Sequence, residues 1–94
     1  MIYSKTTKFI VPNNKLKEFL EILKKIVHKI RIQETNLSFE YGLEKQKNVL
    51  LIERWSTKED FHNFYKKQEI IDDFKSLENN CLKFSILFEL EIKR

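Results

Sequence analysis

The sequence predicts an α+β protein, a ferredoxin-like βαββαβ sandwich. Three observations support this fold class: the order of strand-like and helix-like segments, a capping motif before the second helix, and a final segment with regular alternation of apolar and polar residues. The chain has 94 residues, one proline, one glycine and no linker-like tract. We therefore expect a single domain, residues 1–94, with helices on one face of an antiparallel sheet.

The first third of the chain predicts a strand followed by a helix. Ile2 to Val11 is rich in β-branched and aromatic residues, and a proline ends the run. Asn13 or Asn14 can cap the helix that follows, and charged residues together with His28 occupy the side opposite its apolar stripe. The apolar stripe consists of Leu16, Phe19, Leu20, Leu23, Ile26, Val27 and Ile30.

The middle of the chain predicts a β-hairpin. Apolar and polar residues alternate from Leu37 to Leu43, the polar turn Lys45 to Asn48 follows, and Val49 to Trp55 forms the second strand. This second strand has apolar residues on both faces: one face carries Val49, Leu51, Glu53 and Trp55, and the other carries Leu50, Ile52 and Arg54. We therefore expect it to be covered on both sides.

A second helix follows the hairpin. Ser56 and Glu59 fit the capping box S-x-x-E, so the helix is expected to begin near Thr57 and, after a bend in the middle, to end at Asn79 or Asn80 in the left-handed conformation. Its apolar stripe consists of Phe61, Phe64, Tyr65, Ile70, Ile71, Phe74 and Leu77.

The last segment predicts a strand with one strongly apolar face. Its apolar residues at every second position are Leu82, Phe84, Ile86, Phe88, Leu90 and Ile92. Helices are expected on one face of the sheet only, so the other face needs a cover. Two copies of the chain meeting there would supply it, and we expect a homodimer.

Composition excludes several classes of function. The net charge of +4 comes from 18 basic and 14 acidic residues that are interleaved, and the Gly-aromatic signature of RRM domains is missing, so we expect no nucleic-acid partner. The longest apolar run, Val49 to Ile52, is far too short for a membrane span. The single Cys81 and the lack of a Cys/His cluster with zinc-ligand spacing predict no metal site and a reducing compartment, the cytoplasm.

Several segments resemble one known family. KLKEFLEILKKIV, ETNLSFEY and above all IERWSTKEDF, a Glu-x-Trp strand end followed by a polar residue and a helix, are similar to segments of the antibiotic biosynthesis monooxygenase (ABM) family. The resemblance covers nearly the whole chain. It implies a dimeric α/β barrel with an aromatic-lined pocket between the helices and the sheet of each subunit. A quinol or polycyclic substrate in such a pocket, once deprotonated, donates its own electrons to dioxygen and requires neither metal nor flavin.

The resemblance also suggests site residues. Trp55 matches the family's tryptophan, and many members place a histidine nine residues later, which here is Phe64. His62 lies two residues earlier, about 160° away around an ideal helix, and is the candidate catalytic residue because imidazole titrates near neutral pH. The candidate substrate-binding residues are Phe39, Tyr41, Trp55, Phe61, Phe64 and Tyr65. Each of these aromatic residues, and Phe84 and Phe88, can instead pack in the core.

Two functions follow from these observations. The first is a cofactor-independent monooxygenase acting on a quinol or a similar electron-rich aromatic substrate. The alternative is a non-catalytic dimeric module that binds a small hydrophobic or aromatic molecule. The coverage of the resemblance favours the enzyme, whereas apolar Phe64 and Leu51, at positions where family members carry polar groups, favour the binding module.

Overall fold

A computed structural model describes residues 1–45 and 47–93 and contains a four-stranded antiparallel sheet in the order β2-β3-β1-β4. The strands are β1 (Ile2–Ile10), β2 (Asn36–Glu44), β3 (Asn48–Trp55) and β4 (Lys83–Ile92). The helices are α1 (Leu16–Arg31), α2 (Lys58–Tyr65) and α3 (Gln68–Glu78). This arrangement confirms the predicted α+β ferredoxin-like fold.

The core lies between the sheet and the helices. On the helix-facing side of β3, Val49, Leu51, Glu53 and Trp55 are at most 1% exposed, because the alternation of a strand directs every second side chain to the same face. The predicted stripe of α1 packs on this face and buries Phe19, Leu23, Ile26, Val27 and Ile30. His28 is exposed, as predicted.

The residues that cap α1 and α2 at their N-termini are not the predicted ones. Asn13 belongs to a short 3-10 turn, and Lys15 is the N-cap of α1, so the predicted asparagine cap is wrong. At α2 the cap is Thr57, whose Oγ1 accepts a hydrogen bond from the amide of Asp60 at 3.0 Å. Ser56 instead donates its hydroxyl to the Asp60 carboxylate at 2.6 Å. The predicted capping box is therefore displaced by one residue, because Thr57 is the residue that keeps the extended backbone before the first turn.

Of the predicted bend and the predicted helix end, one is confirmed and the other is wrong. The chain leaves the helical path after Tyr65 and begins α3 at Gln68, which confirms the predicted bend. Asn79 ends α3 with φ of −67°, in the right-handed region, so the predicted left-handed end is wrong. In the hairpin turn Lys45 has a positive φ of 53°, and Gln46 of the predicted turn lies outside the described residues.

A β-bulge divides the apolar residues of β4 between the two faces of the sheet. The register between β1 and β4 shifts between two adjacent threonines of β1, and Leu87 is the extra residue on β4. Phe84 and Ile86 lie on the helix-facing side, whereas Phe88 and Leu90 lie on the opposite side. The prediction of one strongly apolar face is therefore wrong, because the bulge reverses the alternation halfway along the strand.

The face of the sheet opposite the helices is uncovered by the described part of the chain. On it Ile52 is 44% exposed, Phe88 50% and Leu90 45%. In the single chain β3 is thus covered on one side only, and Phe88, like the 47% exposed Phe84, is not a core residue. Within the described residues, none of the helices has the length and apolar character needed to cross a membrane.

Candidate functional site: a cavity between the sheet and the second helical segment

A cavity of about 180 Å³ lies between the sheet and the α2–α3 segment. Its edge at β4 is open, since Phe84 and Ile86 of that strand remain 47% and 48% exposed. The walls are mostly apolar, with a small number of ionisable groups among them. The lining residues are Lys5, Thr7, Phe9, Leu51, Glu53, Tyr65, Phe74, Glu78, Phe84 and Ile86.

A buried carboxyl group lies in the wall of this cavity. Glu53 is 1% exposed on the helix-facing side of β3. Its Oε1 accepts hydrogen bonds from the indole Nε1 of Trp55 at 2.9 Å and from the hydroxyl of Tyr65 at 2.7 Å. Burial raises the pKa of Glu53, while the two hydrogen bonds and the charge of Lys5 act in the opposite direction. Glu53 can therefore hold a proton at a higher pH than an exposed glutamate can.

Tyr65, the last residue of α2, connects this carboxyl group to the helices. Burial, followed by the charge and the hydrogen bond of Glu53, raises the pKa of Tyr65 well above its ordinary value. The hydroxyl therefore stays protonated and acts as a donor to Glu53. The Tyr65 ring packs against Phe61 at 4.5 Å and Phe74 at 5.1 Å between centroids, which holds the hydroxyl in place.

A second tyrosine and carboxylate pair lies along the same side of the sheet. The hydroxyl of Tyr3, on β1, donates a hydrogen bond to Oε2 of Glu89, on β4. Burial, together with the hydrogen bond to Glu89, raises the pKa of Tyr3 above its ordinary value. The centroids of the Tyr3 and Phe61 rings are 4.7 Å apart, so the tyrosine of this pair packs against α2.

Lys5 lies between these two carboxyl groups. In the strand register Lys5 is opposite Glu53 on β3 and opposite Glu89 on β4. Its Nζ lies 5.0 Å from the ring centroid of Phe61 and 5.9 Å from that of Tyr65, within the range of a cation–π contact. The cavity therefore combines a cation, a buried carboxyl group and aromatic surfaces.

Of the predicted substrate-binding residues, Tyr65 alone is among the described residues that line the cavity. Trp55 is 0% exposed and approaches the cavity only through its hydrogen bond to Glu53. Phe39, Phe61 and Phe64 are 1%, 5% and 5% exposed and pack in the core.

Two predicted residues lie on other surfaces. Tyr41 is half-buried on β2, beside a depression on α1 that includes His28 and Arg31. His62, the predicted catalytic residue, is exposed on the outer side of α2. It lies in an open depression with Lys58 and Tyr65, and its ring is 5.2 Å from that of Phe61 between centroids. The catalytic role of His62 therefore stays a prediction.

Glu53 and Lys5 are the functional candidates that sequence reasoning missed. Sequence reasoning did place Glu53 on one strand face with Leu51 and Trp55 but assigned it no role. The sequence signal for Glu53 is its position two residues from Leu51 and two from Trp55. On a strand this spacing directs an ionisable side chain to the same buried face as its large apolar neighbours. Lys5 shows the same signal more weakly, because threonine follows it two residues later at Thr7.

The fold and this cavity define a class, a small α+β protein with an apolar pocket against its sheet. The chain belongs to the antibiotic biosynthesis monooxygenase family, since the model of that family matches residues 2–77. No curated protein matches the sequence significantly.

Solved structures with the same fold come from several organisms. A conserved protein from Methanosarcina mazei has a TM-score of 0.91 at 16% identity, covering 99% of this chain and 94% of that one. A Mycobacterium tuberculosis protein has a TM-score of 0.89 at 8% identity, covering 100% and 97%. A variant of SnoaB, a cofactor-independent oxygenase from Streptomyces nogalater, has a TM-score of 0.86 at 12% identity, covering 99% and 94%. At these identities the similarity shows the fold.

Proposed function

We propose that the chain is a cofactor-independent monooxygenase that acts on a quinol or a similar electron-rich aromatic molecule. The observation that carries the proposal is Glu53, a buried carboxyl group with a raised pKa in the wall of an apolar cavity. An aromatic ring in this cavity packs against Leu51 and Phe74 and directs one hydroxyl toward Glu53. Membership of the family supports the same class of reaction.

In the proposed reaction Glu53 accepts the proton of a substrate hydroxyl. The deprotonated ring then donates two electron pairs in total to dioxygen: one oxygen atom forms a bond with a ring carbon, and the other leaves as water. The water takes the proton held by Glu53 and a second proton from the substrate, so a quinol becomes a hydroxyquinone and Glu53 is again a carboxylate. The protein contributes the position of the ring, the exclusion of water and the proton acceptor. The hydrogen bonds from Trp55 and Tyr65 hold the carboxyl group in one orientation for this step.

His62 is the second candidate for the proton acceptor. A substrate that used it would bind in the open depression on the outer side of α2 rather than in the cavity. Such a site excludes less water and offers fewer apolar contacts, so the geometry favours Glu53. Tyr65 borders both places and would contact the ligand in either case.

The test is oxygen uptake with a panel of single-ring and two-ring quinols. We expect wild-type protein to consume oxygen, Glu53→Gln to reduce kcat/KM by about a hundredfold or more, and His62→Gln to leave it nearly unchanged. The glutamine keeps an acceptor for Trp55 and Tyr65, and circular dichroism checks that the variant is folded. The reverse pattern, loss with His62→Gln alone, would transfer the role to His62.

The non-catalytic binding module remains a second candidate because the position at which many relatives carry a histidine is the buried Phe64, 5% exposed. Under this alternative the protein binds aromatic molecules without turnover. Calorimetric binding of quinols under nitrogen, combined with no oxygen uptake in air, would support the module and refute the enzyme.

We also propose that two copies of the chain associate through the uncovered face of the sheet, into the dimeric α/β barrel that the resemblance implies. The exposed apolar residues Ile52, Phe88 and Leu90 support this association, because a contiguous apolar patch marks an interaction surface. The cytoplasm stays the predicted compartment, since the lone thiol of Cys81 suits a reducing environment.

A further inference from the structure

We propose that Lys5 makes the cavity selective for single-ring aromatic molecules that carry one ionised oxygen, and that its ammonium group binds that oxygen. The inference rests on the proposed function in taking the cavity as the ligand site. It goes further by naming the ionic form and the size of the ligand. It requires no turnover, so binding alone can test it.

The position of Lys5 supports an anion-binding role. The residue lies on β1, an inner strand of the sheet, and its side chain points to the helix-facing side, where it lines the cavity. The Nζ lies over the ring of Phe61 and close to that of Tyr65, at 5.0 and 5.9 Å from the centroids. Aromatic faces attract the ammonium and hold it beside the cavity, yet they leave its charge available to an anion.

The carboxyl groups around Lys5 have other partners. Glu53 accepts from Trp55 and Tyr65, and Glu89 accepts from Tyr3. Among residues 1–45 and 47–93, the ion pairs within 4.0 Å involve Lys8 and Lys29 and do not include Lys5.

Glu78, from α3, is the other acidic residue of the cavity wall. Although carboxyl groups lie nearby, the described residues place none of them within 4.0 Å of the ammonium, and a ligand oxygen can take up that closer position.

Lys5 and Glu53, both in the wall of the cavity, are placed so that they can contact the same ligand. Lys5 and Glu53 are opposite each other on adjacent strands, so both can face the same end of a small ring. When Glu53 accepts the proton of a phenol, its carboxylate becomes neutral, the phenol oxygen becomes an anion, and no electrons move. The ammonium of Lys5 then stabilises the phenolate that the electron transfer to oxygen requires.

The volume of the cavity favours a ligand of one ring. A cavity of about 150 Å³ is known to hold benzene, and the cavity here has about 180 Å³. This leaves space for one ring with small substituents. A second fused ring has to extend past Phe84 and Ile86 to the open edge. The polycyclic substrates implied by the family resemblance are therefore disfavoured.

The probe for the test is 4-nitrophenol, because its phenolate has its own visible absorption band. We expect wild-type protein to lower the pKa of bound 4-nitrophenol, and to bind the phenolate at least about tenfold tighter than the neutral methyl ether 4-nitroanisole. Lys5→Met should remove this preference, because it lowers the affinity for the phenolate at least about tenfold more than the affinity for 4-nitroanisole. Lys5→Arg, which keeps the charge, should retain most of it.

The matched control is Lys67→Met. Lys67 also lies over an aromatic ring, 5.1 Å from the centroid of Phe64, but it is not among the residues that line the cavity. We expect it to behave as wild type. If Lys5→Met does not fold, Lys5→Gln carries the same comparison.

Three results would overturn the inference. In Lys5→Met these are an equal loss of affinity for 4-nitrophenolate and for 4-nitroanisole, or an unchanged preference for the phenolate. In the wild-type protein it is tighter binding of 1-naphtholate than of 4-nitrophenolate. Phenolate selectivity that depends on Lys5 but occurs without oxygen uptake would refute the proposed enzyme and leave the inference standing. Oxygen uptake without this selectivity would refute the inference and leave the proposed enzyme standing.

Discussion

Strands β3 and β4 both pair with β1, and both carry large apolar residues on each face of the sheet, yet their environments differ. On β3 the helix-facing residues, such as Leu51 and Trp55, are at most 1% exposed. On β4 the residues on the same side of the sheet, Phe84 and Ile86, are 47% and 48% exposed. The helices bury the first strand on this side and leave the second half-exposed. The difference teaches that a strand's pattern determines which residues can be buried, while its neighbours determine which are buried.

The largest expected difference between the two strands concerns folding stability. Trp55→Ala should lower the free energy of unfolding by about 3–5 kcal/mol, because it removes a fully buried ring and one hydrogen-bond donor to Glu53. Phe88→Ala, at a concentration where single chains prevail, should cost less than about 1 kcal/mol. Denaturant unfolding measures both. An equal loss in the two variants would mean that β4 is covered in solution.

The next prediction concerns association through the uncovered face. Phe88→Lys places a charge in the apolar patch and should weaken self-association by about a hundredfold or more, roughly 3 kcal/mol. Sedimentation velocity at several concentrations measures this. Ile32→Lys is the matched control, since Ile32 is a 78% exposed apolar residue at the end of α1. A wild-type protein that stays monomeric at every concentration would contradict the proposed dimer.

The pH dependence of stability should separate Glu53 from exposed carboxylates. Because burial raises its folded-state pKa above the unfolded value, the stability associated with Glu53 is fully present below the unfolded pKa near 4.3 and is lost as pH rises through the folded value. For one proton the slope is at most about 1.4 kcal/mol per pH unit. Glu53→Gln should remove this decline from the unfolding curve. Unfolding at a series of pH values above 4 provides the measurement.

Glu44, at the end of β2, provides a control of opposite sign. Its hydrogen bond and ion pair with Lys8, at 2.9 Å, lower the pKa of Glu44. Its stabilisation is therefore present above the unfolded pKa and is lost as pH falls through the folded value. Glu44→Gln should remove a small loss of stability on the acid side. The same direction of change in both variants would contradict the assigned environments.

The smallest effect concerns the start of α2, the helix that follows β3 and helps to cover it. Thr57→Ala should cost about 1 kcal/mol, because the hydrogen bond from the Asp60 amide to Thr57 Oγ1 is lost. Glu59→Ala should cost much less, since the displaced cap does not use this side chain. Thermal unfolding compares the two variants. A larger loss for Glu59→Ala would support the capping box predicted from the sequence.

The sequence by itself determined the order of the elements, the two faces of β3 and the apolar stripe of α1. These follow from local periodicity, which each segment carries without reference to the others. The stripe that buries Phe19 and Leu23, the hairpin, and the phase of Trp55 were all predictable on this basis.

The tertiary structure decided which side chains line the cavity and which are exposed to solvent. The bulge at Leu87 depends on the pairing of β4 with β1, and no local pattern reveals it. The buried state of Glu53 depends on donors from β3 and α2 that meet only in the folded chain. The exposed position of His62 follows from which side of α2 packs on the sheet. The family resemblance directed attention to the aromatic residues and His62, whereas packing brought Lys5, Glu53 and Tyr65 together around one cavity.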